Sequence, residues 1–279
     1  MSGHTHKAYN CVIDGRLVTS GDKFGTVVTE IELKLDRKTR DVVSAKANNL
    51  IVRTETYAKD PEQTALIAAY DKLAKPLADR VVGAVTATLL RAESPTGESV
   101  LGQVIADAQL AATAAAQDGG AVIAFTNPGG IRTDIQKTGE GVVTYADLFA
   151  AQPFGNSLVT LTLTGAQIKT MLEQQWLNQP KPRALQVSKG FSYTWDDRRP
   201  RGDFVAAEGI MLNGRTIDPA AQYRVTVNGF LADGGDGFVV FKEGAEPRVG
   251  PSEVLALETY FKAHSPVAPG VLDRIRRAN

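Results

Sequence analysis

One cysteine and three histidines are all that 279 residues contain of thiol and imidazole metal ligands. The single thiol, Cys11, excludes an intrachain disulfide and a thiolate cluster, leaves the redox compartment open, and reads as a small apolar residue expected in the interior. Net charge is also missing: Lys plus Arg and Asp plus Glu number 31 each. No overall field then favours a nucleic-acid polymer or a membrane surface, and any anion site has to be built locally from a few placed residues. No apolar run approaches the roughly 18 residues that span a bilayer, so no membrane span is expected. The opening MSGHTHKAYN has no charged-then-apolar leader of the secretory kind. Internal repeats and low-complexity tracts are absent as well. What is present is 43% apolar residues, enough for a soluble globular core.

Residues 11–54 alternate in strand fashion, CVIDGRLVTSG, GTVVTEIELKLD and VVSAKANNLIV, around turn signals that include the charged RKTR. So few antiparallel strands bury only a marginal core and must lean on another body. A helix is predicted next, with Asp60 as cap, Pro61 at its first position, Gln63 three residues past the cap, and Leu66, Ile67, Tyr70, Leu73 and Leu77 at helical spacing. Pro76 should end or kink it. From Val81 onward strands and helices alternate, so the fold class is α/β or α+β with layered sheets and helices. The pattern predicts a helix through GESVLGQVIADAQLAATAAAQDGG, closed by Gly119 and Gly120. It continues with the strand AVIAFT, a helix TYADLFAA capped by Thr144, the strand SLVTLTLT and the helix GAQIKTMLEQQW. Strands FSYTW, GIMLNGRTI with an Asn-Gly turn, and QYRVTV follow, and SEVLALETYFKAH is a late helix.

Four segments carry chemistry. His4 and His6, on alternate residues, could ligate zinc, manganese or a similar ion, or belong to a solvated chain end. Asn127 to Arg132 (NPGGIR) follows an apolar strand, where α/β domains place ligands: glycines admit backbone amides and Arg132 offers a fork of donors, unless this is a plain turn with a surface arginine. In QPFGN, neither helix nor strand periodicity asks for Phe154, which is either a stacking plate for a base or a loop residue tucked into the core. NGFLADGGDGF, residues 228–238, is too glycine-rich for regular structure and lacks the Gly-Lys-Ser/Thr ending of a phosphate-binding loop. A carboxylate fixed there, Asp236, suits a sugar diol; a calcium-type loop or a tight turn are the alternatives. His264 stands alone and reads as a surface residue, which disfavours a zinc peptidase.

In order, GHTH, LGQVIADA, TNPGGIR, AAQPFGNSL, LTGAQIKTMLEQ, LNGRTIDPAAQYRV and NGFLADGGDGF resemble the 5′-nucleotidase family over nearly the whole chain. The resemblance implies a division into residues 1–58, the end of a metallophosphatase domain; 59–82, a linker helix with a hinge near Lys72 to Pro76; and 83–279, a carboxyl-terminal substrate-binding domain. It also implies that Phe154 and Phe230 sandwich a base, that Asp236 holds ribose hydroxyls, and that Asn127, Arg132 and Asn156 touch the nucleotide. His4 and His6 match the last pair of metal ligands. An arginine normally precedes the LGxxIADA helix; Gly97 is adjacent here, and Arg91 is the nearby candidate. In the intact parent a divalent metal pair, zinc, manganese or similar, would activate water on the phosphate. The earlier ligands of the family are not in this sequence, so the chain is expected to bind a nucleotide or nucleoside, to need the metallophosphatase domain as partner, and not to hydrolyse by itself. A stand-alone nucleoside-binding module is the alternative. Residence in the periplasm or outside the cell is implied by the resemblance.

Overall fold

A computed structural model of the chain describes residues 1–177 and 179–278. It falls into two compact units, Met1–Lys72 and Leu73–Asn279.

The first unit is made of two antiparallel ribbons. Strands β1 (Ala8–Ile13) and β2 (Arg16–Gly21) are joined by Asp14 and Gly15, both at positive φ, the two-residue turn that an Asp-Gly pair favours. β3 (Val27–Leu35) and β4 (Val42–Ile51) pair along their length, and the intervening turn is tied by the Asp36 carboxylate, which accepts from the Lys38 and Thr39 amides at 2.7 and 3.0 Å. Asn49 stitches the ribbons together by donating to the Tyr9 and Ser20 carbonyls. The buried residues of this unit are Thr19 and Ser20, and no apolar side chain is buried in it. Cys11 is exposed, contrary to the expectation of an interior thiol: it sits opposite Val18 on a two-stranded ribbon whose outer face nothing in the unit covers.

Helix α1 (Pro61–Ala78) starts as its sequence requires, with the Gln63 amide donating to Asp60 Oδ1 at 2.8 Å. Pro76 lies inside the last turn and the helix runs two residues past it, to Ala78. None of its residues is buried, and the boundary between the units falls within it.

The second unit continues with β5 (Val81–Ala84), α2 (Val100–Thr113), β6 (Ile123–Thr126), β7 (Val142–Thr144), α3 (Tyr145–Ala151), β8 (Ser157–Thr164) and α4 (Gly165–Glu173). Then come β9 (Gln186–Val187), β10 (Phe191–Trp195), β11 (Val205–Leu212), β12 (Arg215–Thr216), β13 (Gln222–Asn228), α5 (Gly229–Ala232), β14 (Ala245–Ser252), α6 (Glu253–His264) and β15 (Ile275–Arg277). Five strands form a mixed sheet in the order β14-β8-β13-β6-β9, and four form a second in the order β12-β11-β10-β15. Alternation decides what each face of the larger sheet meets. Ile123, Phe125, Leu161, Leu163, Val225 and Val227 join one apolar cluster with Phe191, Tyr193 and Ile210 of the smaller sheet. On the opposite face Thr226 is flanked by Ala124 and Thr160, and its hydroxyl meets those of Thr113 on α2 and of Thr160 at 2.7 and 2.8 Å. Small polar residues there let the helix approach closely. A second apolar cluster, including Leu101, Ile105, Leu148, Leu257 and Phe261, gathers α2, α3 and α6.

Helix starts follow the capping signals: Ser99, Thr144, Thr164 and Ser252 each accept a hydrogen bond from the first turn, and Thr144 and Thr164 form full capping boxes with Asp147 and Gln167. α2 stops at Thr113, short of the expected Gly119. The chain turns extended at Ala115 because the Ala121 amide returns to the Thr113 carbonyl and the Val122 amide to the Arg224 carbonyl, which starts β6 beside β13. Among the described residues no helix is long and apolar enough to cross a membrane.

Candidate functional site

The larger sheet gathers several distant segments at one edge. β6 and β13 are parallel, so Asn127 and Asn228 leave or close them at the same end. β8 runs antiparallel to β13, with Asn228 opposite Leu158, so the loop entering β8, residues 152–156, arrives there too. β14 ends with Ser252 opposite Ser157, which places Glu253 beside that loop. β9 is antiparallel to β6 with Gln186 opposite Thr126, which brings the segment before β9 to the same edge. Ligands collect at the carboxyl ends of parallel strands for this reason: backbone groups and loop side chains converge where the sheet pairing stops.

Asn127 and Asn228 form the floor. Both are buried, and Asn228 Nδ2 donates to Asn127 Oδ1 at 3.0 Å while its own Oδ1 caps α5 by accepting from the Leu231 amide at 2.9 Å. The stretch expected to be irregular therefore opens with one turn of helix, because Asn228 supplies the cap. Asn127 Nδ2 then donates to Asp236 Oδ2 at 2.8 Å, and the Arg183 guanidinium donates to Asp236 Oδ1. Asp236 holds its backbone at φ +54, in the left-handed region that Asp tolerates better than most residues. A carboxylate engaged by an amide and a guanidinium is set up as a hydrogen-bond acceptor rather than as a cation ligand.

One aromatic lies beside this acceptor and the other beside Arg132. Phe230 leaves the first turn of α5 and packs on Gly235: a Cβ at position 235 would stand 2.5 Å from the Phe230 ring and carbonyl. Phe154 lies 5.5 Å from the Arg132 guanidinium, within cation–π range. The two rings are 55% and 44% exposed, for Phe154 and Phe230 respectively, so both keep a free face. Arg132 also reaches the Gly129 carbonyl at 3.4 Å. Arg91 donates to the Arg132 carbonyl at 2.8 Å, and its backbone amide donates to Asp134. Beside it, Glu93 is pushed above the usual carboxylate range by burial, with Lys181 and Arg91 close enough to pull partly back.

Asn127, Arg132, Phe154, Phe230, Asp236 and Arg91 are thus linked in one patch. Asn156 faces away toward α6: its Nδ2 donates to Glu253 Oε1 at 3.0 Å, and its carbonyl accepts from the Glu253 amide at 2.9 Å. Arg183 and Glu253 escaped the sequence reading. Arg183 sits in a Pro-Lys-Pro-Arg stretch without periodicity, and Glu253 looks like an ordinary acidic residue in a first helical turn; only the strand pairing reveals either position.

His4 and His6 belong to the first unit and are exposed, with the His6 amide closing a turn on the Gly3 carbonyl at 3.0 Å. Among the described residues no three His, Cys, Asp or Glu side chains come together to hold a metal ion. Two imidazoles do not supply the bridging and terminal ligands of a dinuclear centre, so the residues present do not fit a metal pair.

Fold and site together define a mixed-sheet domain that carries two half-exposed phenylalanines and a fixed acceptor at the strand ends. The chain belongs to the 5′-nucleotidase family of phosphohydrolases: residues 81–243 match the family described as 5′-nucleotidase, C-terminal domain. It is 32% identical over 258 residues to the trifunctional nucleotide phosphoesterase protein YfkN of Bacillus subtilis, covering 88% of this chain and 17% of that protein. Endonuclease YhcR of the same organism is 29% identical over 280 residues, covering 99% of this chain and 22% of that protein. The structure of a 5′-nucleotidase precursor from Thermus thermophilus superposes with a TM-score of 0.73 at 31% identity, covering 97% of this chain and 54% of that one. The chain therefore spans about a fifth of each of these curated relatives and about half of the solved one.

Proposed function

We propose that the second unit is the nucleoside-recognising part of a 5′-nucleotidase-type phosphohydrolase, which releases phosphate from a nucleotide. The observation that carries this reading is the meeting, at one sheet edge, of two half-exposed phenylalanines with a carboxylate held by Asn127. A base is flat and apolar on its faces, and a ribose offers two adjacent hydroxyl donors; Phe154 and Phe230 suit the first and Asp236 the second. Arg132 and Arg91 bring positive charge to the same patch for phosphate oxygens. Asn156, through Glu253, holds the loop that carries Phe154.

In this reading residues 1–58 close a metallophosphatase domain, 59–82 form the linker helix and 83–279 the recognition domain, in a protein that works in the periplasm or outside the cell. Support for the first part is the apolar surface that Val28, Leu33, Leu35, Val43 and Ile51 leave exposed on the β3–β4 ribbon. His4 and His6 would then complete a metal site whose other ligands lie in that larger domain. A binding module without chemistry is the second reading, favoured by the lack of a metal-ligand cluster among the described residues.

The test is a calorimetric titration of the chain with adenosine, beside the Phe154→Ala, Phe230→Ala double variant. Each stacked ring contributes about 1–3 kcal/mol, so the double variant should lose saturable binding in the accessible range. A folded wild-type chain that does not bind, or a double variant that binds equally well, would overturn the reading.

A further inference from the structure

The segment entering β9 reaches the site from a direction that none of the family motifs marks. Gln179 Nε2 donates to the backbone carbonyl of Asp236 at 2.6 Å, and Arg183 donates to the carboxylate of the same residue. Arg183 stands on a firm base. Its amide donates to the Gln175 carbonyl at 2.9 Å, and the side chain of buried Gln175 is itself fixed by the Leu185 amide at 2.7 Å and the Tyr193 hydroxyl at 3.0 Å. The guanidinium is two-thirds covered and the Asp236 side chain more so.

We propose that Arg183 is a positioning residue for Asp236 and thereby sets the preference of the site for an intact vicinal diol; this rests on the reading that a nucleoside binds here. An ionised carboxyl group offers about four acceptor positions, two on each oxygen. Asn127 takes one on Oδ2 and Arg183 one on Oδ1, which leaves one on each oxygen, the number that two neighbouring hydroxyls require. With Asn127 alone the carboxylate could turn about that single bond, and ordering it would then weaken ligand binding. The second donor, on the other oxygen, removes this freedom beforehand. In this role Arg183 acts through Asp236, and the ligand's phosphate is left to other groups.

The experiment compares adenosine with 2′,3′-dideoxyadenosine by calorimetry on the full chain, in the wild type, Arg183→Met, Arg183→Lys and Asp236→Ala. Wild type should favour adenosine, and Asp236→Ala should abolish the preference. Arg183→Met should weaken adenosine about tenfold, the effect of roughly one charge-assisted hydrogen bond, and leave the dideoxy compound within about twofold. Arg183→Lys should recover part of the loss, and thermal unfolding of Arg183→Met should show that the domain is intact. If Asp236→Ala loses the preference while Arg183→Met keeps it, or if Arg183→Met weakens both ligands equally, the role of Arg183 is refuted and the nucleoside reading stands. If wild type shows no preference, or Asp236→Ala changes nothing, the nucleoside reading itself falls.

Discussion

Glu253 begins α6 almost wholly out of contact with water, and its carboxyl titrates at about 7: burial pushes it up, and hydrogen bonding by Asn156 pulls it partly back. The folded chain therefore holds this proton more tightly than the unfolded chain, in which a glutamate titrates near 4.5. The contribution to stability is fully present below about pH 4.5 and is lost as pH rises through about 7. Urea unfolding between those limits should show a fall in the wild type that Glu253→Gln lacks, with the variant gaining relative stability toward neutral pH. Parallel curves would show that the carboxyl is not shielded from water. Phe154 could be picked out of the sequence because no periodicity asked for an aromatic there, and Asp236 because it is an acid fixed among glycines, whereas Phe230 was marked by the family resemblance alone. Glu253 and Arg183 could not be picked out, because their chemistry comes from the ends of strands that meet them from far along the chain. Cys11 shows the converse: its residue type suggests burial, and a two-stranded ribbon offers it no interior.

Among the elements, helix starts were the most legible, since Ser99, Thr144, Thr164 and Ser252 act through bonds to residues three positions on. Helix ends were less so. The alanine-rich run after Thr113 has the propensity to continue, and tertiary pairing of Ala121 and Val122 overrides it. The short helix α5 depends on a cap, Asn228, that also serves the floor of the site. Gly235 is the counterpart on the other side of Phe230, and it leaves no room for a methyl group between them. Gly235→Ala should displace the Phe230 ring and weaken adenosine binding about tenfold, within the range of one lost stacking contact. The melting temperature should fall as well, because the Phe230 carbonyl, also 2.5 Å from the added carbon, is backbone and cannot swing aside as the ring can. Unchanged affinity would mean that the ring position at Phe230 does not matter for binding.

Taken whole, the chain carries its apolar clusters in the second unit and an uncovered apolar surface on the ribbons of the first. A ribbon pair that buries only Thr19 and Ser20 has little to hold it together on its own. We expect the chain to release no phosphate from AMP with millimolar manganese or zinc, followed by a colorimetric phosphate assay. Metal-dependent release that persists in His4→Ala and His6→Ala would show a catalytic centre elsewhere in the chain.

The pairing of β6 with β13 sets Ile123 beside Val225, about a hundred residues further along the chain. A closure of that span is costly in entropy and is offset only once both strands are in place. The 228–238 stretch carries Asn228, Phe230 and Asp236 locally, but its carboxylate meets Asn127 only across that same long span. A nucleoside bound as proposed would then find its full set of partners in the finished fold alone, and would stabilise that fold by mass action.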